Sequence, residues 1–233
     1  MKGTIIAMGG GGFSTEVDNS LLDQYILDSS SIKQPKICFV STASGDNKDY
    51  ISKFFSAFSQ HECQPFYLSL FKPQTEDIES FLLGMDIIYV GGGNTKNMLA
   101  LWEAWGIPKI LEKCMTKGIV LAGVSAGIIC WFEAGITDSY HGKLSPINGL
   151  GFLTGSFCPH CDSEESRVST YIEYLEKDQI PFGYALDDGV ALHFKDGHLL
   201  KAVASKSDAQ AYFISKKDTS IDKNQLKITT LIT

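Results

Sequence analysis

The chain has 233 residues and a formal net charge of −7, because its 27 Asp and Glu residues outnumber its 20 Lys and Arg residues. A chain this acidic, with no basic run, is a poor electrostatic partner for nucleic acid or anionic lipid. Its hydrophobic content of 44% is ordinary for a globular protein, and the length predicts one domain over residues 1–233.

The apolar segments are too short for a membrane protein. The longest uncharged run lies between Lys117 and Glu133, is shorter than the roughly 18 residues of a spanning helix, and contains glycines. The apolar stretch at the N-terminus is too short for a signal peptide. We therefore expect a cytoplasmic protein with reduced cysteines. The sequence does not decide its oligomeric state between monomer and homodimer.

Short apolar runs alternate with segments of helical periodicity from the N-terminus to Phe132. Strands are predicted at Thr4–Met8, Lys36–Val40, Pro65–Leu70, Met85–Val90 and Ile119–Gly123. Helices are predicted at Asn19–Leu27, Asp49–Ser59, Thr75–Leu83, Asn94–Trp105, Pro108–Lys117 and Ala126–Phe132. This alternation is typical of an α/β protein with a mostly parallel sheet and helices on both faces.

The last part of the chain has a different pattern. Val190–Phe194 and Leu199–Val203 flank an Asp-Gly turn and predict a β-hairpin. Two more strands are predicted at Ala209–Ile214 and Lys227–Ile232. We expect these C-terminal strands to form an antiparallel extension at one edge of the sheet.

Ser125 lies in the strongest motif of the sequence, the Gly-x-Ser-x-Gly segment Gly123–Gly127. An apolar strand leads into it and a predicted helix follows, an arrangement that exposes a nucleophilic serine on a tight elbow. Glycine on either side keeps side chains out of the turn and away from an approaching substrate. The N-terminus of the helix offers N–H groups to a developing oxyanion. The alternative is a small-residue turn that only packs a helix on a strand.

A nucleophilic serine needs a base, and the sequence has five histidines. His160 is favoured because it follows an apolar, glycine-rich segment, Leu150–Phe157, that suits the end of a strand. The other histidines are predicted in polar loops or at the edge hairpin: His61, His141, His193 and His198.

Two further motifs suggest other functions. Cys158 and Cys161 enclose Pro-His with the Cys-x-x-Cys spacing of thiol oxidoreductases, but lie far from the early βα unit where such enzymes carry it. The pair also lacks the second ligand pair of a zinc site. The glycine loop Gly9–Thr15 departs from the dinucleotide-binding fingerprint, since Ser14 stands at the last glycine position. Both alternatives are weaker than the serine nucleophile.

Four segments together resemble one enzyme family. They are Tyr89–Thr95 (Tyr-Val-Gly-Gly-Gly-Asn-Thr), Gly123–Gly127, Pro159-His160 and Leu186–Gly189 (Leu-Asp-Asp-Gly). In order and spacing they are similar to peptidase E (aspartyl dipeptidase) and its relatives, which include cyanophycinase. The resemblance covers most of the chain. It implies a fold akin to class I glutamine amidotransferases, with serine where those enzymes carry cysteine.

The resemblance implies a catalytic triad. Ser125 matches the nucleophile, and His160 matches the general base. Asp188 stands where the family has a glutamate before glycine, so the acid here is one methylene shorter. Asp187 therefore stays a lesser candidate. Asp138 falls near a family aspartate outside the triad and is equally well explained as a loop or capping residue.

The resemblance also implies an oxyanion hole formed by the backbone N–H groups of Gly93 and Ala126. The three glycines after the Met85–Val90 strand fit this role, because the backbone must approach the carbonyl oxygen closely. Asn94, in the same motif, is a candidate substrate-binding residue.

Arg167 is a second candidate substrate-binding residue and the only arginine in the chain. It begins a predicted helix that extends to Asp178, soon after His160. A substrate with an N-terminal aspartate presents a carboxylate, which a guanidinium binds better than an ammonium does. The alternative is an ion pair with Glu164 or Glu165.

We therefore expect a serine peptidase that forms an acyl-enzyme and requires neither a metal nor an organic cofactor. The family resemblance implies short peptides as substrates, in particular dipeptides with an N-terminal aspartate. The alternative is a non-catalytic small-molecule-binding or sensor protein on the same fold. A thiol oxidoreductase ranks third.

Overall fold

The protein was analysed as a computed structural model that describes residues 2–232, with two β-sheets and seven α-helices over that range. The strands of the first sheet are β1 (Thr4–Met8), β2 (Lys36–Val40), β3 (Gln64–Leu68), β4 (Ile87–Val90), β5 (Val120–Val124), β10 (Val190–Lys195), β11 (His198–Ala204) and β14 (Ile228–Thr230). Those of the second sheet are β6 (Phe132–Tyr140), β7 (Lys143–Asn148), β8 (Leu153–Cys158), β9 (Gly183–Leu186), β12 (Ala211–Lys217) and β13 (Ser220–Gln225). The helices are α1 (Leu21–Asp28), α2 (Lys48–Phe58), α3 (Ile78–Leu83), α4 (Thr95–Trp105), α5 (Ile107–Thr116), α6 (Ala126–Ile129) and α7 (Arg167–Glu176).

The first sheet has the strand order β14-β11-β10-β1-β5-β4-β2-β3. Its five strands from β1 to β3 are parallel, as predicted. The strand β10 pairs antiparallel with β1 and with β11. The parallel strands end at the same edge of the sheet, where active sites of α/β proteins form.

Helices cover both faces of the first sheet, as the continuous apolar strands predict. In β1, Ile5 and Ala7 belong to one core, whereas Ile6 and Met8 belong to the core on the opposite face. The first core also contains apolar residues of α3, α4 and α5, and the second contains those of α1 and α2. The parallel strands are therefore held in place from both sides.

The second sheet has the order β13-β12-β9-β8-β6-β7, and its three central strands β9, β8 and β6 are parallel. Helix α7 packs on it through Tyr171 and Leu175, in a core shared with Ile136 and Ile214. This sheet was not predicted. The predicted strand Ala209–Ile214 belongs to it and is not an extension of the first sheet.

Two other predictions for the chain's second half were wrong. The predicted helix Ala126–Phe132 ends at Ile129, and the chain then enters β6. A short apolar run fits a buried strand as well as a helix, so periodicity does not separate the two. The C-terminal strand β14 pairs parallel, not antiparallel, with β11.

None of the helices between residues 2 and 232 is long and apolar enough to cross a membrane.

Candidate active site

Ser125 lies on a sharp turn between β5 and α6, at the edge where the parallel strands end. Its backbone has φ 57° and ψ −114°, a conformation that a residue with a side chain rarely adopts. A side chain at Gly123 or Gly127 would come within 2.8 Å of the Val90 carbonyl oxygen. The two glycines of the motif therefore let the turn pack directly against the end of β4, which presents the serine side chain outward.

The side chain of Ser125 begins a chain of hydrogen bonds. Its Oγ lies 2.9 Å from Nε2 of His160. Nδ1 of His160 lies 2.6 Å from Oδ1 of Asp188. The side chains of His160 and Asp188 are 20% and 19% exposed, so the pair is shielded from most of the solvent but reachable by a small substrate. This geometry allows the imidazole to take a proton from the hydroxyl.

The two partners of Ser125 come from the second sheet. His160 follows β8, and Asp188 lies in the connection from β9 to β10. Two hydrogen bonds from backbone N–H groups tie these segments together: Cys161 N–H donates to the Leu186 carbonyl, and Asp188 N–H donates to the Asp162 carboxylate. His160 has φ 59°, so its backbone too is in a left-handed conformation held by the surrounding bonds.

The electrostatics favour Asp188 as an ionised partner of the imidazole. Burial alone would raise the pKa of the Asp188 carboxyl. Hydrogen bonds from His160 and Ser163, together with the charges of His160 and Lys206, outweigh burial and lower this pKa below its ordinary value of 3.8. The carboxylate therefore stays charged at neutral pH, where it orients His160 and stabilises a positive imidazolium.

The other candidate acids do not touch His160. The Asp187 carboxylate accepts the N–H of Gln210 at 2.8 Å, and burial raises its pKa. Asp138 is an exposed residue of β6 whose backbone carbonyl accepts the N–H of Gly142. Of the three acids, Asp188 alone has a hydrogen bond to the imidazole.

The other histidines lie elsewhere. His193 Nδ1 bonds the Tyr25 hydroxyl at 2.7 Å, and burial, followed by the charges of Lys201 and Lys195, lowers its pKa to about 4. His61 bonds Gln24. His141 is an exposed residue of a turn, and His198 is the exposed first residue of β11. The expectation that His160 is the partner of Ser125 therefore agrees with the hydrogen-bond geometry.

The loop after β4 lies beside Ser125. A Cβ added at Gly92 would be 3.3 Å from Cβ and 3.8 Å from Oγ of Ser125. Gly93 is exposed and has φ 137°, a conformation natural to glycine. Within residues 2–232, the N–H groups of Gly93 and Ala126 donate to no other backbone group. Neither amide is occupied by a backbone acceptor in that range, so each can donate to a ligand oxygen.

Two contributions to this site were not predicted. A Cβ at Gly10 would lie 2.0 Å from Oδ1 of Asp188 and 3.1 Å from Nδ1 of His160, so the pair packs on bare backbone. The Tyr50 hydroxyl accepts the Gly92 N–H at 3.4 Å and bonds the Ser14 side chain. The run of glycines after β1 was a visible signal for Gly10. Nothing in the sequence indicated that Tyr50 bridges two glycine loops.

Asn94 and Arg167, the predicted substrate-binding residues, are engaged within the protein. Asn94 caps α4, because its Oδ1 accepts the N–H of Asn97 at 2.8 Å. Nε and Nη2 of Arg167 bond both carboxylate oxygens of Glu164 at 2.7 and 3.0 Å, and the arginine is only 4% exposed. The ion-pair interpretation of Arg167 is therefore the one that the contacts support.

The described part of the chain has no group of three His, Cys, Asp or Glu side chains placed to hold a metal ion. The cysteines of residues 2–232 are free thiols. The chemistry described above requires only the hydroxyl, the imidazole, the carboxylate and the two amides.

Comparison with known proteins gives consistent findings. The model of peptidase family S51 matches residues 5–202. The chain is 51% identical over 224 residues to the uncharacterized peptidase YgaJ of Bacillus subtilis (strain 168), which covers 96% of this chain and 97% of that protein.

Two solved structures are similar in fold. The crystal structure of a peptidase from an acI-B1 actinobacterium has a TM-score of 0.68 at 18% identity, over 100% of this chain and 97% of that one. A putative peptidase E protein from Listeria monocytogenes EGD-e has a TM-score of 0.58 at 17% identity, over 97% of this chain and 100% of that one. At these identities the likeness concerns the fold alone.

Proposed function

The chain belongs to peptidase family S51, as the sequence motifs predicted, and on that premise we propose that it hydrolyses short peptides through Ser125, His160 and Asp188. One observation carries the proposal. Ser125, His160 and Asp188 form an unbroken line of hydrogen bonds of 2.9 and 2.6 Å, next to two amides with no backbone acceptor in residues 2–232.

The first half of the reaction acylates the enzyme. His160 Nε2 takes the proton of the Ser125 hydroxyl as Oγ attacks the peptide carbonyl carbon. The carbonyl oxygen becomes an oxyanion, which the N–H groups of Gly93 and Ala126 stabilise. Asp188 holds the imidazole by its Nδ1 proton and stabilises the positive charge that His160 gains. The tetrahedral intermediate collapses when His160 returns the proton to the leaving amine.

The second half releases the acid. Water enters the site left by the amine, and His160 takes one of its protons as the oxygen attacks the acyl carbon. A second oxyanion forms against the same two amides. Its collapse breaks the ester bond and returns the proton to Oγ of Ser125. No metal ion or organic cofactor takes part in this sequence of steps.

The proposal extends to fold and substrate class. The family resemblance implies a relation to class I glutamine amidotransferases and a preference for dipeptides with an N-terminal aspartate. Arg167 is paired with Glu164 in this chain. It can therefore bind the aspartate side chain only if the substrate carboxylate replaces the Glu164 carboxylate. Arg167→Met then lowers kcat/KM for Asp-X dipeptides by about 10²-fold and leaves Ala-X dipeptides much less affected. Equal effects on both would show that Arg167 only pairs with Glu164.

A dipeptide library screen on the purified protein tests the proposal, with release of the free amine as the signal. The Ser125→Ala variant is expected to lose at least about 10⁴-fold in kcat, because the members of a triad act as a unit. Ser169→Ala, at an exposed serine of α7, is the matched control and keeps full activity. Hydrolysis that persists in folded Ser125→Ala would refute the serine mechanism. Ligand binding without turnover in the wild type would favour the sensor alternative.

A further inference from the structure

Two thiols flank His160 in the turn that follows β8. Cys158 is the last residue of the strand and is buried, and Cys161 is half-buried. Their Sγ atoms lie 3.7 Å apart, and the Cys161 Sγ also lies 3.4 Å from the Cys158 carbonyl oxygen. The mechanism uses neither thiol. The spacing that resembled a redox motif therefore does bring two sulfurs together, on either side of the Pro159-His160 pair that carries the proposed general base.

The turn that holds the thiols is also the turn that holds the catalytic pair. His160 lies between the cysteines with φ 59°, and its ring is within 2.6 to 2.9 Å of both triad partners. The residue after Cys161, Asp162, accepts the N–H of Asp188 at 2.7 Å. A change in the distance between the sulfurs therefore acts on His160 and on the segment that positions Asp188.

A disulfide requires the two sulfurs to approach to about 2 Å, which is some 1.7 Å closer than they are here. Because Cys158 is buried at the end of a strand, the approach falls mainly on Cys161 and on the turn that holds His160. Hydrogen bonds of the kind that His160 makes weaken steeply with such displacements. A misplacement of about 1 Å in a catalytic group costs about 10²-fold in rate.

We propose that Cys158 and Cys161 are an oxidation site, and that a disulfide between them inactivates the peptidase by displacing His160. The inference rests on the proposed function of His160. The oxidant is a low-molecular-weight disulfide, RSSR. The Cys161 thiolate attacks one of its sulfurs and releases one RSH, and the Cys158 thiol then attacks the mixed disulfide and releases the second. Two protein thiols become one disulfide, and RSSR becomes two RSH.

The site is a target of oxidation, not a catalyst of it. The hydrogen bond with Cys158, followed by burial, raises the pKa of Cys161 well above its usual range. Enzymes that catalyse thiol–disulfide exchange have attacking thiols with lowered pKa values. The thiols of this pair are therefore expected to react slowly, so that the disulfide forms only under sustained oxidation.

Oxidation of the full-length protein by diamide tests the proposal. Diamide accepts two electrons and two protons across its N=N bond, so one equivalent converts two thiols to a disulfide. Peptide mapping without reductant locates the new bond, and the rate at which a fluorophosphonate labels Ser125 reports the activity of the site. The variants are Cys161→Ser and Cys158→Ala, each compared with its own untreated sample. Cys63→Ser, at another half-buried cysteine, is the matched control.

The expected result is a 158–161 disulfide in the wild type and in Cys63→Ser, with labelling slowed at least about 10²-fold and restored by dithiothreitol. Cys161→Ser and Cys158→Ala are expected to keep their labelling rates after diamide. The proposed inactivation would be overturned by a mapped 158–161 disulfide that leaves the labelling rate unchanged. It would also be overturned if diamide inactivated the Cys158 and Cys161 variants as much as the wild type. Absence of the 158–161 bond would overturn the oxidation site. Absence of labelling in the untreated wild type would instead refute the proposed function, while mapping still tests the thiol pair.

Discussion

The two sheets contribute different kinds of group to the candidate site. The first sheet contributes backbone: glycine loops follow β1 and β4, and Ser125 sits on a glycine-flanked turn after β5. The second sheet contributes side chains that titrate, His160 after β8 and Asp188 after β9. The backbone half depends on close approach, with Gly10, Gly123 and Gly127 each leaving no room for a Cβ. The side-chain half depends on hydrogen bonds between neighbouring loops.

This difference predicts how each half responds to substitution. In the half built from side chains, loss of one hydrogen-bonding group removes a chemical function while the fold persists. In the half built from backbone, an added Cβ displaces a close neighbour, which is the Val90 carbonyl at Gly123 and Gly127 and the Asp188 carboxylate of the other half at Gly10. The site therefore depends on the two sheets meeting, and variants in either sheet test that dependence.

The largest effect on kcat is expected for Asp188, which the second sheet contributes. Asp188→Asn removes the charge that faces His160 and leaves the imidazole in the wrong tautomer, so kcat should fall by about 10³–10⁴-fold without unfolding. Steady-state kinetics on the best dipeptide measure the change. Asp187→Asn and Asp138→Asn are matched controls and should cost much less, because neither carboxylate contacts His160. A reversed order of damage would show that the acid is assigned wrongly.

A second prediction concerns Asp23, a buried residue beneath the glycine loop after β1, and its effect on the free energy of unfolding. Asp23 is 1% exposed, and its Oδ1 has no hydrogen-bond partner in the described chain. Burial raises its pKa from 3.8 to about 7; the Phe13 N–H opposes this increase, and the Glu16 charge adds to it. Between these two pH values the folded state binds the proton and the unfolded state does not, so the free energy of unfolding falls as pH rises through this window.

Asp23→Asn removes this cost. At pH 8 the variant should exceed the wild type in free energy of unfolding by up to about 4 kcal/mol, and the difference should shrink toward pH 4. Urea denaturation at both pH values measures it. Asp28→Asn, at an exposed aspartate of the same helix, is the control. A difference that does not change with pH would show that the pKa of Asp23 is the same in the folded and the unfolded protein.

Gly10→Ala probes the contact between the two halves. The added Cβ would lie 2.0 Å from Oδ1 of Asp188, so the carboxylate must move away from its place beside His160. We expect kcat to fall by about 10²-fold. Gly84→Ala is the control, since its Cβ would meet nothing closer than 3.4 Å. If Gly10→Ala folds and hydrolyses dipeptides at the wild-type rate, the two halves do not depend on this contact.

The smallest effect is expected from Tyr50→Phe, within the first sheet's half. The variant loses the hydroxyl that accepts the Gly92 N–H and so loosens the loop that carries Gly93. We expect a roughly 5-fold lower kcat with little change in KM, in line with one hydrogen bond. Binding of a peptide aldehyde, which forms a tetrahedral adduct with an oxyanion, should weaken by the same factor. Tyr67→Phe is the control. If Tyr50→Phe weakened binding of the reaction product as much as binding of the aldehyde, a role specific to the loop that carries Gly93 would be contradicted.

The two halves also differed in how well the sequence predicted them. The parallel strands are mostly apolar runs, and the glycines after β1 and β4 and on either side of Ser125 mark the loops of the site. Ser125 followed from its flanking glycines, and His160 from its place after a strand. The geometry around Asp188 agrees with an assignment that only the family resemblance had indicated.

The second sheet was predictable only in part, from the segments that became β8 and β12, because several of its other strands carry little pattern. β13 reads Ser-Ile-Asp-Lys-Asn-Gln and is mostly exposed, and β7 contains a proline. The contact of Gly10 with Asp188 joins residues at opposite ends of the chain, and no local signal reports such a contact. The sequence left Arg167 open between substrate binding and an ion pair with Glu164 or Glu165, and the structure pairs it with Glu164.

The most direct test of the account is the reaction of the folded protein with a fluorophosphonate, followed by intact mass and peptide mapping. The account predicts a single adduct on Ser125, absent from Ser125→Ala and formed at least about 10²-fold more slowly in Asp188→Asn. An adduct on another residue would contradict the claim that Ser125, His160 and Asp188 form one catalytic unit. So would the absence of any adduct in wild-type protein that hydrolyses dipeptides.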